Sequence, residues 1–156
     1  MVNSVPRNMD ARYEQAEREL EGYRDLCRQI THFAEMIKEK EEQATFVRSN
    51  LDPDRTSGGK ADYERPILDI VEMQKVYAQK RIKAIEKSIE IEAIINQIRN
   101  ERDARLLRKY YIQGMTDFEI AETEFCDRST ITRLRRGAIM VYAKIAPKKQ
   151  QTPAYE

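Results

Sequence analysis

At 156 residues the chain is long enough for one domain, or for a small domain joined to an extended one. Charged residues make up 35% of it, and glycine and proline together fill only ten positions, a composition of long helices rather than sheets. The formal net charge of +1 gives no global basicity, and the two cysteines, Cys27 and Cys126, lie far apart and match no metal-binding spacing.

Residues 1–8 have no periodicity and contain a proline, so they are expected to be a frayed leader. From Met9 a heptad pattern begins. Met9, Tyr13, Ala16, Leu20, Tyr23, Cys27, Ile30, Ala34 and Ile37 follow alternating steps of four and three, continuing through Glu41 to Ala44, Arg48 and Leu51. Leu26, Phe33 and Val47 widen the apolar face. The pattern predicts a helix over residues 10–49, which at 1.5 Å per residue would reach roughly 60 Å. Such a helix needs a partner.

Residues 50–65 (NLDPDRTSGGKADYER) are the clear break, an expected flexible loop. Pro66 suits the first position of the next helix. From Pro66 to Asn100 there is no other glycine or proline. Ile67, Ile70, Val71, Tyr77, Ala78, Ile82, Ile85 and Ile89 form a face that drifts to Ile91, Ile94, Ile95 and Ile98. The simplest arrangement is an antiparallel hairpin with the loop at its tip. Residues 85–98 could also bury against a second subunit. A shorter helix over 102–113 follows, with Leu106, Leu107, Tyr110 and Tyr111 as its core face. Arg102, Arg105, Arg108 and Lys109 lie on its outer side, as phosphate contacts or as a solvated face.

Residues 114–145 carry the most information. Gly114 suits the left-handed position that closes a helix. Thr116 and Glu119 form a capping box that opens a short helix over 117–124, with Phe118, Ile120 and Ala121 directed to a small core. Asp127 is the expected N-cap of a second helix, with Cys126 stapled onto Ile131. Ile131, Leu134, Ala138, Val141 and Ile145 then make one apolar stripe. The opposite face carries Arg128, Ser129, Thr132, Arg133, Arg135 and Arg136, with no acid between the first and the last. Arginines and short hydroxyls at the N-terminal end of the second helix of such a pair are what major-groove reading needs. Ser129, Thr132, Arg133 and Arg136 are the candidate base readers; Arg128, Thr130, Arg135 and Lys144 are the candidate phosphate contacts. Charge is distributed accordingly. Residues 99–149 hold twelve Lys/Arg against seven Asp/Glu, an excess of five positives, and the remainder is net −4.

The same segment carries a resemblance. LRKYYIQGMT (107–116), EIAE (119–122) and RSTITRL (128–134) resemble the C-terminal domain of ArpU/RinA-type phage transcriptional regulators, which is similar to region 4 of bacterial sigma factors. The likeness covers about the last third of the chain. Phe125 stands where that family usually has glycine, Glu124 where an apolar residue is common, and Asp127 where serine usually caps. The resemblance implies activation of late phage or mobile-element genes, with RNA polymerase as a possible second partner.

Catalysis finds no support in the inventory. His32 is the lone histidine and has no ligand or triad partner at local spacing, and Ser57-Gly58-Gly59-Lys60 lacks the earlier glycine and the strand of a phosphate loop. No enzyme activity, metal or cofactor is expected. There is no signal peptide, lipidation motif or apolar run of membrane length. A cytoplasmic location with reduced, structural cysteines follows, and no membrane partner.

The expected architecture is all-α: a helical hairpin or coiled coil over 1–100 with its tip loop at 50–65, a helix-turn-helix domain over 101–146, and a disordered tail over 147–156. Three readings fit it. The first is a sequence-specific transcription regulator that binds double-stranded DNA as a homodimer through the long helices. The second is a packaging protein of the small-terminase kind. The third is a helical interaction module that does not bind DNA.

Overall fold

A computed structural model describes residues 7–49 and 61–148 and, among them, contains only helices. Residues 1–6 of the expected leader, 50–60 of the tip loop and 149–156 of the tail lie outside the described residues, while Arg7 and Asn8, expected in the leader, are helical. Helix α1 (Arg7–Ser49) carries the expected seam. Ala16, Leu20, Tyr23 and Ile37 are buried, Tyr13, Cys27, Ile30, Ala34 and Ala44 are half-buried, and Glu41 is exposed. Helix α2 (Ala61–Ile95) begins earlier than its proline suggests. Pro66 is the sixth helical residue rather than the first, so its missing N–H removes one backbone bond in the second turn.

The described residues divide into two compact units. One comprises those up to Arg24 together with those from Ser88 onward; the other is Asp25–Lys87. The division therefore falls at 24/25 and 87/88, whereas the sequence suggested a boundary near residue 100. In the Asp25–Lys87 unit α1 and α2 run antiparallel. Lys80 Nζ donates to Gln29 Oε1 at 2.8 Å, and Gln74 Nε2, earlier in α2, donates to Glu41 Oε1, later in α1, at 3.3 Å.

The other unit holds the C-terminal helices. Asn100 caps α3 (Glu101–Leu107), accepting from the N–H groups of Arg102 at 3.0 Å and Asp103 at 3.4 Å. The helix does not continue regularly to Gln113, as its sequence suggests, but widens into a π-helical turn over Arg108–Ile112. There the Gln113 N–H reaches back five residues to the Arg108 carbonyl at 2.8 Å. The widened turn places adjacent Tyr110 and Tyr111 edge to face, ring centroids 4.8 Å apart. Helices α4 (Asp117–Glu124) and α5 (Arg128–Ile145) follow within a residue of expectation.

Leu106, Ile120, Ala121 and Ile131 make a core closed by Tyr110, Met115, Cys126 and Leu134. Burying a side chain such as Ile120 contributes about 1.5–3 kcal/mol. Phe118, expected in this core, is exposed instead. It lies two residues from Ile120 on a two-turn helix and so points to the other side. Conversely, α5 buries Ile139, Tyr142 and Ala143 beyond its expected stripe. Tyr142 is close enough to Glu19 of α1 and Glu90 of α2 to feel their charge, and burial pushes its phenol well above the usual range. A second side of α5 thus packs toward those helices.

Candidate nucleic-acid interface

The helix-turn-helix geometry is built by local chemistry. Gly114 takes φ +71°, and the Met115 N–H closes the preceding helix on the Lys109 carbonyl at 2.9 Å. The capping box is formed as expected: Thr116 N–H donates to Glu119 Oε2 at 2.8 Å, and Glu119 N–H to Thr116 Oγ1 at 3.2 Å. Phe125, where the resembling family usually has glycine, is left-handed at φ 54° and 95% exposed. It closes α4 by an N–H bond to the Ala121 carbonyl. Asp127 occupies the N-cap position of α5, but its side chain accepts no capping bond. Cys126 packs with Ile131 in the core, as the expected staple requires.

Helix α5 sorts its polar residues into two groups. Arg128, Ser129, Arg133, Arg136 and Lys144 are exposed. Ser129, Arg133, Arg136 and Lys144 lie near one line along the helix, Arg128 beside its start, and Thr130 is half-buried at the margin. Thr132 and Arg135 differ from expectation. The Thr132 hydroxyl lies 3.0 Å from Asp117 Oδ2 and 3.1 Å from the Arg128 carbonyl, so it is directed at the start of α4. Arg135 Nε and Nη2 donate to Asp117 Oδ1 and Oδ2 at 3.1 and 2.9 Å, and its guanidinium carbon lies 3.8 Å from the Tyr110 ring centroid. Thr132, expected to read a base, and Arg135, expected to bind phosphate, instead bind α5 to α4.

The Asp117 contact is electrostatically committed. Burial opposes charge on its carboxyl, but the hydrogen bond and charge of Arg135, the Thr132 hydroxyl and the charge of Arg128 together hold it below the usual carboxylate range. Tyr110 also receives Arg24 of α1, whose guanidinium carbon is 3.8 Å from the same centroid while Nη2 donates to the Met115 carbonyl at 3.2 Å. Two guanidinium groups at that distance fit one on each face of the ring. At the other end of α4, Glu124 accepts from Arg105 Nε and Nη2 at 2.7 and 2.9 Å and from Lys109 Nζ at 2.8 Å. Arg108 binds Glu92 Oε2 at 3.1 Å and Asn96 Oδ1 at 2.6 Å. Three of the four outer cations of the support helix are therefore engaged with the protein itself. Asp117 and Arg24 were not singled out by the sequence, and Tyr110 only as part of a core face, since partners separated by 18 or 91 residues leave no periodic trace.

What the fold and this site define is an all-α protein with a C-terminal helix-turn-helix whose second helix presents arginines to solvent. The chain belongs to the family described as a protein of unknown function (DUF1492), whose pattern matches residues 44–142. That span takes in α2, α3, α4 and most of α5. No curated protein and no solved structure matches the chain. Among the described residues, no helix is long and apolar enough to cross a membrane.

Proposed function

We propose that the protein is a sequence-specific regulator of transcription that binds double-stranded DNA, with α5 as the helix placed in the major groove. The observation that carries this reading is the division of the α5 arginines. Arg135 is locked to Asp117, whereas Arg133 and Arg136 are exposed and, among the described residues, held by no ion pair, Arg136 lying near enough to Tyr13 of α1 to act on its phenol. Exposed guanidiniums on the second helix of a helix-turn-helix are suited to bidentate contact with a guanine edge. Ser129 lies one turn before Arg133, near the helix N-terminus, where anions are favoured. Ser129, Arg133 and Arg136 are the proposed base readers, and Arg128, Thr130 and Lys144 the phosphate contacts.

One reading helix makes few base contacts, so specificity would come from two half-sites bound by a homodimer paired through the long helices. The resemblance to ArpU/RinA-type regulators extends the proposal to activation of phage or mobile-element late genes in the cytoplasm, with RNA polymerase as a second partner. The test is duplex selection from a random pool, followed by affinity measurement on selected and unrelated duplexes at stated salt. Arg133→Ala is expected to weaken the selected duplex by about 1–3 kcal/mol, with little change on unrelated DNA and unchanged helicity. Equal losses on both would remove Arg133 from base reading, and an absence of salt-sensitive duplex binding would remove DNA altogether.

A further inference from the structure

Helix α2 carries two heptad rows with different fates. Ile70, Met73, Tyr77, Lys80 and Ala84 recur at steps of three and four, are buried or half-buried, and face α1, where Lys80 meets Gln29 and lies 5.5 Å from the Phe33 ring centroid. The second row is Leu68, Val71, Lys75, Ala78, Ile82 and Ile85, again alternating threes and fours. At 3.5 residues per turn the centres of the two rows stand roughly 150° apart on the helix. The second row faces solvent: Leu68 is 61% exposed, Val71 41%, Ile82 59% and Ile85 54%. An a/d row with branched aliphatics at four of its six positions has the pattern of a coiled-coil seam rather than of a solvated surface.

We propose that this row is the pairing surface for a second copy of the chain, with the two α2 helices parallel and in register. Charge selects the orientation. With Leu68, Lys75 and Ile82 at a and Val71, Ala78 and Ile85 at d, Arg81 takes a g position and Glu86 the e position five residues later. In a parallel pair Arg81 meets the partner's Glu86 on both sides of the seam, and Gln74 meets the partner's Gln79. The antiparallel alignment that keeps the whole row overlapped sets Arg81 against the partner's Gln74 and Glu72 against the partner's Gln79, and so forms neither ion pair.

The size also suits a second copy. The four aliphatics offer roughly 400 Å² per chain, so with the flanking Ile67 and the stems of the e and g residues a symmetric pair removes on the order of 1,000 Å² from water, the lower range of specific interfaces. Lys75, the one charged residue of the row, meets the partner's Lys75 in this register, which costs stability while marking the register. This deepens the dimer proposed above by naming its surface, and it requires no DNA, so its failure and that of the DNA reading are separable.

The test is sedimentation equilibrium of the full chain over a concentration series, without DNA. A monomer–dimer equilibrium is expected. Ile82→Lys, at an exposed position, should weaken association by about 100-fold with unchanged helicity. Arg81→Glu and Glu86→Arg should each weaken it, and the combined charge swap should restore it. Lys75→Leu should tighten it. A chain that stays monomeric throughout overturns the proposal, as does a dimer indifferent to both Ile82→Lys and the charge reversals. Single reversals that weaken pairing without rescue by the double swap overturn the parallel register.

Discussion

Phe125 holds a backbone conformation, φ 54°, that costs an L-residue roughly 1–2 kcal/mol, and its ring, 95% exposed, recovers little of that by packing. Glycine adopts the left-handed region freely. Phe125→Gly is therefore expected to stabilise the protein by about 0.5–1 kcal/mol in urea unfolding, the gain reduced by the greater freedom of glycine in the unfolded chain. A loss of stability would mean that the ring makes contacts its exposure conceals. Arg133 and Arg135, two residues apart, should behave oppositely. Arg135→Ala strands the Asp117 carboxylate among packed groups and removes a guanidinium from Tyr110, a change expected to cost about 2–4 kcal/mol. Arg133→Ala should alter stability by less than about 0.5 kcal/mol, because Arg133 is exposed and, among the described residues, in no ion pair. Thermal denaturation of the two variants side by side distinguishes a structural arginine from a presented one.

At the scale of elements, α4 is fastened at both ends by charge: Asp117 to α5 at its start, Glu124 to the helix carrying Arg105 and Lys109 at its end. Hydrogen bonds from Arg105 and then Lys109 hold the Glu124 carboxyl down from its ordinary value of 4.5 to about 2. A carboxyl depressed in the folded state contributes stability that is present above its unfolded value and lost as pH falls toward its folded one. The Glu124 contribution should accordingly disappear between pH 4.5 and about 2. Glu124→Gln should flatten that part of the stability curve and cost about 1–2 kcal/mol at neutral pH. A curve of unchanged shape would show that other carboxylates govern acid unfolding. Glu124 was marked in the sequence only as a departure from an apolar position; its partners explain the acid there. The caps around α4 were legible because Gly114, Thr116 and Glu119 act within a few residues of one another. The π-helical turn was not, because residues 108–112 satisfy an ordinary helical pattern equally well. Nor was the inward turn of Thr132 and Arg135: periodicity assigns residues to a face, and both stand at the edge between faces, where a partner 15 or 18 residues away decides.

At the scale of the whole molecule, the helix-turn-helix shares its compact unit with the start of α1 rather than with its sequence neighbours alone. Ala16, Leu20, Tyr23 and Arg24 of α1 belong to the same compact unit as α3 to α5 and are all buried, Leu20 completely. Arg24 reaches both Tyr110 and the Met115 carbonyl, and the unexpected buried side of α5, Ile139 and Tyr142, has Glu19 among the charges near it. A fragment of residues 88–148 therefore exposes apolar surface that the complete chain covers, and it leaves one face of Tyr110 without its guanidinium. The loss of Leu20 and Tyr23 as packing partners alone corresponds to about 3–6 kcal/mol, comparable to the whole stability of a small domain. The fragment should retain helical circular dichroism but lack cooperative thermal unfolding and dispersed amide resonances. Adding residues 7–24 as a separate peptide should restore both, with the Arg24→Ala peptide binding more weakly. Cooperative folding of the fragment alone would show instead that α3 to α5 form an autonomous domain, with α1 merely resting on it. If the fragment needs the peptide, any DNA contact by α5 is coupled to the seating of α1, and mutations along α1 far from the arginines will weaken duplex binding without touching DNA.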